Sequence, residues 1–475
     1  MQINETDIKK MVEQVLQQIG QTQNAVSPVA TLNDVSLGNG VFSSVDEAAA
    51  AARVAWDKLR KLPVAARRQM IENMREVSRE HAKELAELAV EETKLGRVAD
   101  KIAKILLATN KTPGVEDLIS TAYSGDDGLT LVEYAPIGVF GSITPSTNPA
   151  ATVINNSISL IAAGNTVVYN PHPSAKRVSI KTLQLLNQAI VAAGGPENAL
   201  TSVQSPNLET SAQVMNHPSV NALVVTGGGP VVKAAMAVGK KVIAAGPGNP
   251  PVVVDETAIL PKAAADIVTG ASFDNNVLCT AEKEVFVVEK VANALKAEMV
   301  KNGAIELKGF QLEKLLDKVL TKKNDKFYPN RDFIGKDAHV LLQAAGIQAS
   351  PTVKLIIAET TKDHPLVMTE MLMPILPIVR VPNVDVAIEL AVIAEKGNRH
   401  TAIMHSQNIT NLTKMAQEIQ ATIFVKNGPS VAGLGYESEG FTTLTIAGPT
   451  GEGLTSAKTF TRQRRCVLVD GLRII

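Results

Sequence analysis

Between residues 138 and 254 short apolar strands alternate with helical stretches, and this alternation restricts the chain more than any other feature. GVFGSITP (138–145), NTVVYN (165–170), ALTSVQ (199–204), NALVVTGGG (221–229), KVIAAG (241–246) and PVVVD (251–255) read as strands, with helices expected near 174–193 and 208–216. Strands joined through helices pack as parallel βαβ units, and such sheets bind ligands beyond the carboxyl ends of their strands. A second α/β stretch follows from about 261 to 425, where a helix over 261–276 leads directly into FDNNVLC and then the strand EVFVVE. The expected class is α/β, and 475 residues suit two or three domains. Apolar residues make up 45% but aromatics only 3%, so the interior is built mainly from Ala, Val, Ile and Leu.

Upstream the pattern is helical. Ser44-Val45-Asp46-Glu47 is a capping box and Pro63 suits a first helical turn, which predicts helices over 45–61 and 64–93. GLTLVEYAP (128–136) and the tail TRQRRCVLVDGLRII (461–475) alternate apolar and polar positions and read as strands. At the start of the chain Ile8, Met11, Val12, Val15, Leu16 and Ile19 recur three or four apart and form one apolar stripe. Residues 21–39 show little periodicity and read as a flexible tether. The first helix is therefore expected to be an appendage that seeks a partner, the plainer alternative being a helix folded back on its own domain.

Charge and cysteine content exclude several functions. Lys plus Arg equals Asp plus Glu at 47 each, which leaves no basic field for a polyanion, so nucleic acid is not an expected partner. No run approaches the roughly 20 apolar residues of a membrane span, and the first residues lack the apolar core of a signal peptide. Cys279 and Cys466 stand far apart without metal-ligand spacing, so neither a disulfide framework nor a metal site is expected, and the location is expected to be cytoplasmic.

A lone cysteine is more often a small buried hydrophobe than a nucleophile. Cys279 sits in SFDNNVLCTAEKE, where two Asn residues with Asp274 and Thr280 make a polar segment that an inert core thiol does not require. Because it follows a predicted helix, it is expected near the unfavourable negative end of that dipole, and its activation must come from elsewhere. The turns ITPSTNPA (143–150), VTGGGP (225–230) and AAGPGNPP (244–251) all occur at strand ends, where small residues let a backbone approach a nucleotide. None spells GxGxxG, and each alone is weak evidence for dinucleotide binding.

Taken together, TPSTNPAATVINNSISLIAAGN, NPHPSAK, VVTGG, GPGNPPVVVDETA, GASFDNN before Cys279, MTEMLMPILP, HTAIMHSQN, FVKNGPS, PTGEG and TSAKTF resemble, in order, the aldehyde dehydrogenase superfamily. Within it they resemble the CoA-acylating aldehyde dehydrogenases of bacterial microcompartments for ethanolamine or 1,2-propanediol. The resemblance implies an aldehyde dehydrogenase-like fold, with two open parallel-sheet α/β domains and a small β bridge that joins subunits into a dimer or tetramer. The implied division is a targeting helix (1–20), a linker (21–39), a dinucleotide-binding domain (40–254, with 126–137 in the bridge), a catalytic domain (255–430) and a returning C-terminal segment (431–475).

The resemblance also implies roles. Cys279 is the nucleophile, forming a thiohemiacetal and then, after hydride transfer to NAD, a thioester. Its backbone N–H and the side chain of Thr147 or Asn148 are the expected oxyanion donors. Glu370 matches the carboxylate that holds the nicotinamide ribose, and Pro145, Asn170, Pro171, His172, Gly227, Gly228, Pro230 and Gly246 fall in the cofactor-binding segments. The positive nicotinamide ring is the expected activator of the thiol. Ala244 stands where hydrolytic relatives carry a water-activating glutamate, so coenzyme A is the expected acceptor. His400, with His405 five residues on, is the expected base or guide for the CoA thiol. The expected reaction is oxidation of a short aldehyde such as acetaldehyde or propionaldehyde to acyl-CoA, inside a compartment reached by docking of the first helix on a shell protein. The rival readings are a hydrolytic aldehyde dehydrogenase and a non-catalytic nucleotide-binding component of the compartment.

Overall fold

The computed structural model describes residues 36–324 and 326–475. The proposed N-terminal helix and most of the tether lie outside the described residues. Two parallel sheets organise the chain. The first has six strands in the order Val41–Phe42, Leu200–Val203, Thr166–Pro171, Val139–Thr144, Ala222–Thr226, Lys241–Ala245. The second has seven, in the order Ala304–Glu306, Leu355–Thr360, Ile375–Val381, Glu284–Val288, Pro251–Val254, Thr401–His405, Ile423–Lys426.

Both sheets are covered on both faces, which explains the nearly continuous apolar strands. In the first, Phe140, Val167, Tyr169, Ala222 and Val224 point into one core, while Val139, Val168, Leu223 and Val225 point into the other. In the second, Val252, Val254, Val285, Val287 and Ile378 alternate in the same way with Val253, Phe286, Val379 and Val381. Each fully buried side chain of this size contributes roughly 1.5–3 kcal/mol.

A third, three-stranded antiparallel sheet pairs Gly128–Pro136 with Thr121–Gly125 on one side and with Thr461–Val469 on the other. Its outer strands are largely exposed, with Tyr123, Val467 and Val469 more than half open to solvent. The Thr461–Val469 strand is tied to the first sheet through Phe460, whose ring meets Phe140 edge-on at 5.6 Å.

The structure departs from the sequence reading at four places. The strand Pro251–Val254, read as part of the first βαβ region and placed in the dinucleotide-binding domain (40–254), pairs in the second sheet between Glu284–Val288 and Thr401–His405. No helix separates it from Lys241–Ala245, so the loop 246–250 carries the chain from one sheet to the other. The helix Pro149–Ala162 was not marked by periodicity because all fourteen of its residues are buried. The helix expected over 64–93 breaks at His81 (φ −96°, ψ 8°) into Val64–Glu80 and Ala82–Thr93. Thr121–Gly125 is a short, exposed edge strand with no apolar face to announce it. The capping box at Ser44 is present: Glu47 N–H donates to Ser44 Oγ, and Ser44 N–H to the Glu47 carboxylate.

Candidate active site

The turn 145–148 leaves the strand Val139–Thr144 at its carboxyl end, as do 227–228 after Ala222–Thr226 and 246–249 after Lys241–Ala245. The segments singled out in the second sheet lie at the opposite, amino ends of their strands: Cys279 before Glu284–Val288, Glu370 before Ile375–Val381, His400 before Thr401–His405. The site therefore forms where the carboxyl edge of one sheet meets the amino edge of the other. Gly248 makes that meeting possible, since a Cβ there would lie 2.5 Å from the Cys279 carbonyl oxygen and 3.1 Å from the His400 ring. Asn249 clamps the same seam, its Nδ2 donating to Glu284 Oε1 (3.2 Å), Val367 O (3.1 Å) and Ala394 O (2.9 Å).

Cys279 is unpaired and partly exposed. The helix Leu260–Ser272 ends before it in three consecutive left-handed residues, Asp274 (φ 47°), Asn275 (φ 55°) and Asn276 (φ 65°). Asn and Asp are the residues besides Gly that accept this conformation readily, which is a backbone reason for the DNN string beside the chemical one. The turn is fixed by hydrogen bonds: Asn276 Nδ2 donates to Ala271 O (2.8 Å) and Glu282 O (2.9 Å), while Asn275 Nδ2 donates to Gly335 O (2.9 Å). Lys283 Nζ donates to Asn276 O (3.0 Å), Asn276 Oδ1 (2.5 Å) and Leu278 O (3.1 Å), so a buried cation sits beneath the cysteine turn.

Burial pushes the Cys279 thiol up to about 11, the Glu370 carboxylate adds to the rise, and Lys283 and Lys104 oppose it. The resting group is a thiol rather than a thiolate at neutral pH. Burial likewise raises Glu370, against the pull of Lys283 and of the Gly248 N–H that donates to its carboxylate.

His400 lies buried beside Gly248. Its N–H donates to Glu395 Oε1 (2.9 Å), its Nδ1 meets Thr401 Oγ1 (2.9 Å), and its Nε2 is buried with no hydrogen-bond partner. Burial, then Lys283, lowers it to about 4, so the ring is neutral at pH 7. His405 ends the strand that His400 precedes, roughly 16 Å away at about 3.3 Å per residue. It lies toward Asp266 (3.9 Å) and not toward Cys279, so the two histidines do not meet at one site.

Asn148 is buried, and Lys104 Nζ donates to its Oδ1 at 2.5 Å. Lys104 and Lys101, both buried on the helix Val98–Lys111, also bind the fully buried Asp274, Lys101 at 3.1 Å. Lys101 Nζ reaches Thr147 O (3.2 Å) as well. Asp274 in turn accepts from Arg97 N–H (2.7 Å), and its own N–H donates to Asp100 Oδ2 (2.9 Å). Sequence reasoning missed these lysines; the available signal was that they share a helix face with Ile105 and Ala108, on the buried rather than the solvated side.

The expected cofactor segments line the carboxyl edge of the first sheet. The helix Gly229–Met236 begins without a side-chain cap, Gly228 and Pro230 are exposed or nearly so, and a Cβ on Gly227 or Gly228 would meet nothing closer than 3.6 Å. This uncapped, glycine-fronted start suits a pyrophosphate. Pro145 is partly buried and Pro171 is buried. Gly246 packs against Pro449, 3.0 Å from where a Cβ would stand. Asn170 has its amide engaged, donating to Asn207 O (3.3 Å) and accepting from Thr210 Oγ1 (2.7 Å), so it offers a ligand chiefly its backbone. His172 is exposed, and its Nδ1 accepts from Ser174 N–H at 3.2 Å. Ala244 is fully buried in the core with Ile143, Val225 and Val232, and its N–H donates to Thr450 Oγ1 (3.0 Å).

Two sheets of this order, with a partly exposed cysteine at their seam, suit covalent catalysis beside a bound dinucleotide, and likeness to known proteins names the class. The chain belongs to the aldehyde dehydrogenase family, whose model matches residues 17–441. It is 52% identical over 477 residues, covering 100% of both chains, to the acetaldehyde dehydrogenase (acetylating) EutE of Salmonella typhimurium. A propionaldehyde dehydrogenase of Rhodopseudomonas palustris, solved with bound CoA and an acylated cysteine, superposes with a TM-score of 0.90 at 50% identity, over 92% of this chain and 100% of that one. A propionaldehyde dehydrogenase from the fucose utilisation bacterial microcompartment of Clostridium phytofermentans gives a TM-score of 0.90 at 48% identity, over 92% and 100%. Among the described residues no helix is long and apolar enough to cross a membrane.

Proposed function

We propose that this chain is a CoA-acylating aldehyde dehydrogenase that converts a short aldehyde, CoA and NAD(P)⁺ to acyl-CoA, NAD(P)H and a proton. The Cys279 sulfur adds to the carbonyl carbon, giving a thiohemiacetal. Loss of hydride leaves a thioester, and the CoA sulfur then displaces Cys279. Gly227 and Gly228 would hold the pyrophosphate of a nicotinamide dinucleotide, which when bound would supply the hydride acceptor. The backbone N–H of Cys279 and Nδ2 of Asn148 hold the carbonyl oxygen; Asn148 is favoured over Thr147 because Lys104 engages its Oδ1, while Thr147 Oγ1 accepts from Asn148 Nδ2 at a long 3.3 Å. Glu370 orients the nicotinamide ribose, and neutral His400, with its free Nε2, takes the proton of the CoA thiol.

The observation that carries this reading is a free, partly exposed Cys279 at the seam of the two sheets; what supports CoA over water as acceptor is the resemblance, by which hydrolytic relatives carry a glutamate where this chain has the buried Ala244. Likeness to relatives named for acetaldehyde and for propionaldehyde supports a two- or three-carbon substrate. One observation favours a second, hydrolytic reading: the Glu370 carboxylate lies close enough to raise the Cys279 thiol. Assays of NADH and of products with CoA present or omitted separate the two. The expected result is acyl-CoA with CoA and only slow free acid without it. Glu370→Gln should raise the KM for NAD⁺ and leave that slow acid release unchanged, whereas His400→Ala should slow CoA-dependent turnover by about 10²-fold, the lower range for general-base help. Brisk acid formation without CoA that Glu370→Gln abolishes would establish the hydrolytic reading instead.

Likeness to a microcompartment enzyme also supports a compartment location; we further propose that residues 1–20 dock on a shell protein and that the exposed three-stranded sheet joins copies of the chain. Deleting 1–20 is expected to leave soluble activity and sedimentation as an oligomer intact while abolishing encapsulation. Loss of folding or catalysis would instead show that the helix packs on its own domain.

A further inference from the structure

We propose that Lys104 is a positioning residue that sets the orientation of the Asn148 amide, holding Oδ1 toward itself so that Nδ2 faces the carbonyl oxygen of the substrate. The inference rests on the reading of Asn148 as an oxyanion donor and adds the group that makes it one. An asparagine amide turned the wrong way would present an acceptor to a developing negative charge, so catalysis requires something that tells its two ends apart. A lysine ammonium does so without ambiguity, because it carries donors only. Lys104 Nζ lies 2.5 Å from Asn148 Oδ1, and both side chains are buried, at 4% and 7% exposure.

The same ammonium is held from behind. Asp274, at 0% exposure, binds both Lys104 and Lys101. Asp274 belongs to the left-handed turn that presents Cys279, so one carboxylate links the nucleophile's turn to the group that orients the oxyanion amide. Gly96 packs so closely on Asp274 that a Cβ would lie 1.9 Å from Oδ1, which leaves the carboxylate little room to swing. The positive charge of Lys104 also reaches the sulfur, where it opposes the rise of the thiol.

Lys104→Met is the direct test. It leaves Asp274 paired with Lys101, so the buried carboxylate keeps a counter-charge. Removing one oxyanion donor costs about 10²–10³ in rate, and freeing the amide to turn should cost about 10- to 10²-fold in kcat with little change in KM for aldehyde or NAD⁺. Lys101→Met, assayed at pH 7 because burial lowers Lys101 to about 8, removes the other cation of the cluster and its bond to Thr147 O without touching the Asn148 side chain, and should cost clearly less. In an Asn148→Ala background the Lys104→Met loss should disappear, because there is no amide left to orient.

Equal losses in the two lysine variants, or a Lys104→Met loss that persists in full with Asn148→Ala, would overturn the proposal while leaving Asn148 as donor. An Asn148→Ala variant with wild-type kcat would overturn the oxyanion assignment itself. If Lys104→Met does not fold, Lys104→Arg, which keeps charge and donor, becomes the measure: kcat within about tenfold of wild type supports the proposal, and a loss as large as that of Asn148→Ala overturns it.

Discussion

Cys279→Ser is expected to lower aldehyde-dependent NADH formation by on the order of 10⁴-fold or more, the scale on which removing a covalent nucleophile acts. Serine preserves the size and the turn but replaces a polarisable sulfur with a hydroxyl that is hardly ionised, and an ester would pass its acyl group to a thiol far less readily than a thioester does. Retention of activity within tenfold would remove the covalent pathway. The thiol's own titration provides a second check. With the group held near 11, the thiolate fraction at pH 8 is about 10⁻³ and grows tenfold per unit as pH rises. Iodoacetamide labelling, followed at the Cys279 peptide because Cys466 is exposed and also reactive, should therefore keep climbing through pH 10 in the free enzyme. A plateau near pH 8.5 would show that burial and Glu370 do not act on the sulfur as described.

Asp274→Asn is expected to cost the largest share of stability of any single change near the site, about 3–5 kcal/mol, because it strips the counter-charge from two buried ammonium groups. Asn keeps the shape and tolerates the left-handed φ of 47°, so the change isolates charge from backbone strain. Thermal unfolding should move down by several degrees, and Lys101→Met combined with Asp274→Asn should recover part of the loss by removing one of the stranded cations. A midpoint unchanged from wild type would mean that these lysines are neutral or solvated in the folded protein.

The sequence carried the architecture wherever local pattern and burial agree. Strands such as Ala222–Thr226 announced themselves as apolar runs ending in glycine turns, and Ser44 announced its helix through a reciprocal cap. Pattern failed where tertiary context decides. Pro149–Ala162 is buried all round and so shows no stripe, and nothing local tells Pro251–Val254 that its partners lie in the later sheet. In the site, Cys279 and the 145–148 turn were legible because each sits within a motif of contiguous residues. The lysine pair was not, since Lys104 and Asp274 lie 170 positions apart and lysines on a helix read by default as its wet face. His400 and His405 were close in sequence, and it is their places at opposite ends of one strand that separate them.

The left-handed run at 274–276 has a consequence for how freely this pocket can be remodelled. Backbone geometry favours Asn, Asp and Gly at those three positions and penalises β-branched side chains most, although Lys94, Leu372 and Gln420 show that unbranched side chains are held at similar φ elsewhere in the fold. Val277, in right-handed backbone, and Leu278, packed in the apolar core, are both buried and answer mainly to volume. Diversity introduced just before the reactive sulfur is accordingly expected to survive better at the two aliphatic positions next to it than in the polar turn that precedes them, whatever aldehyde the selection rewards.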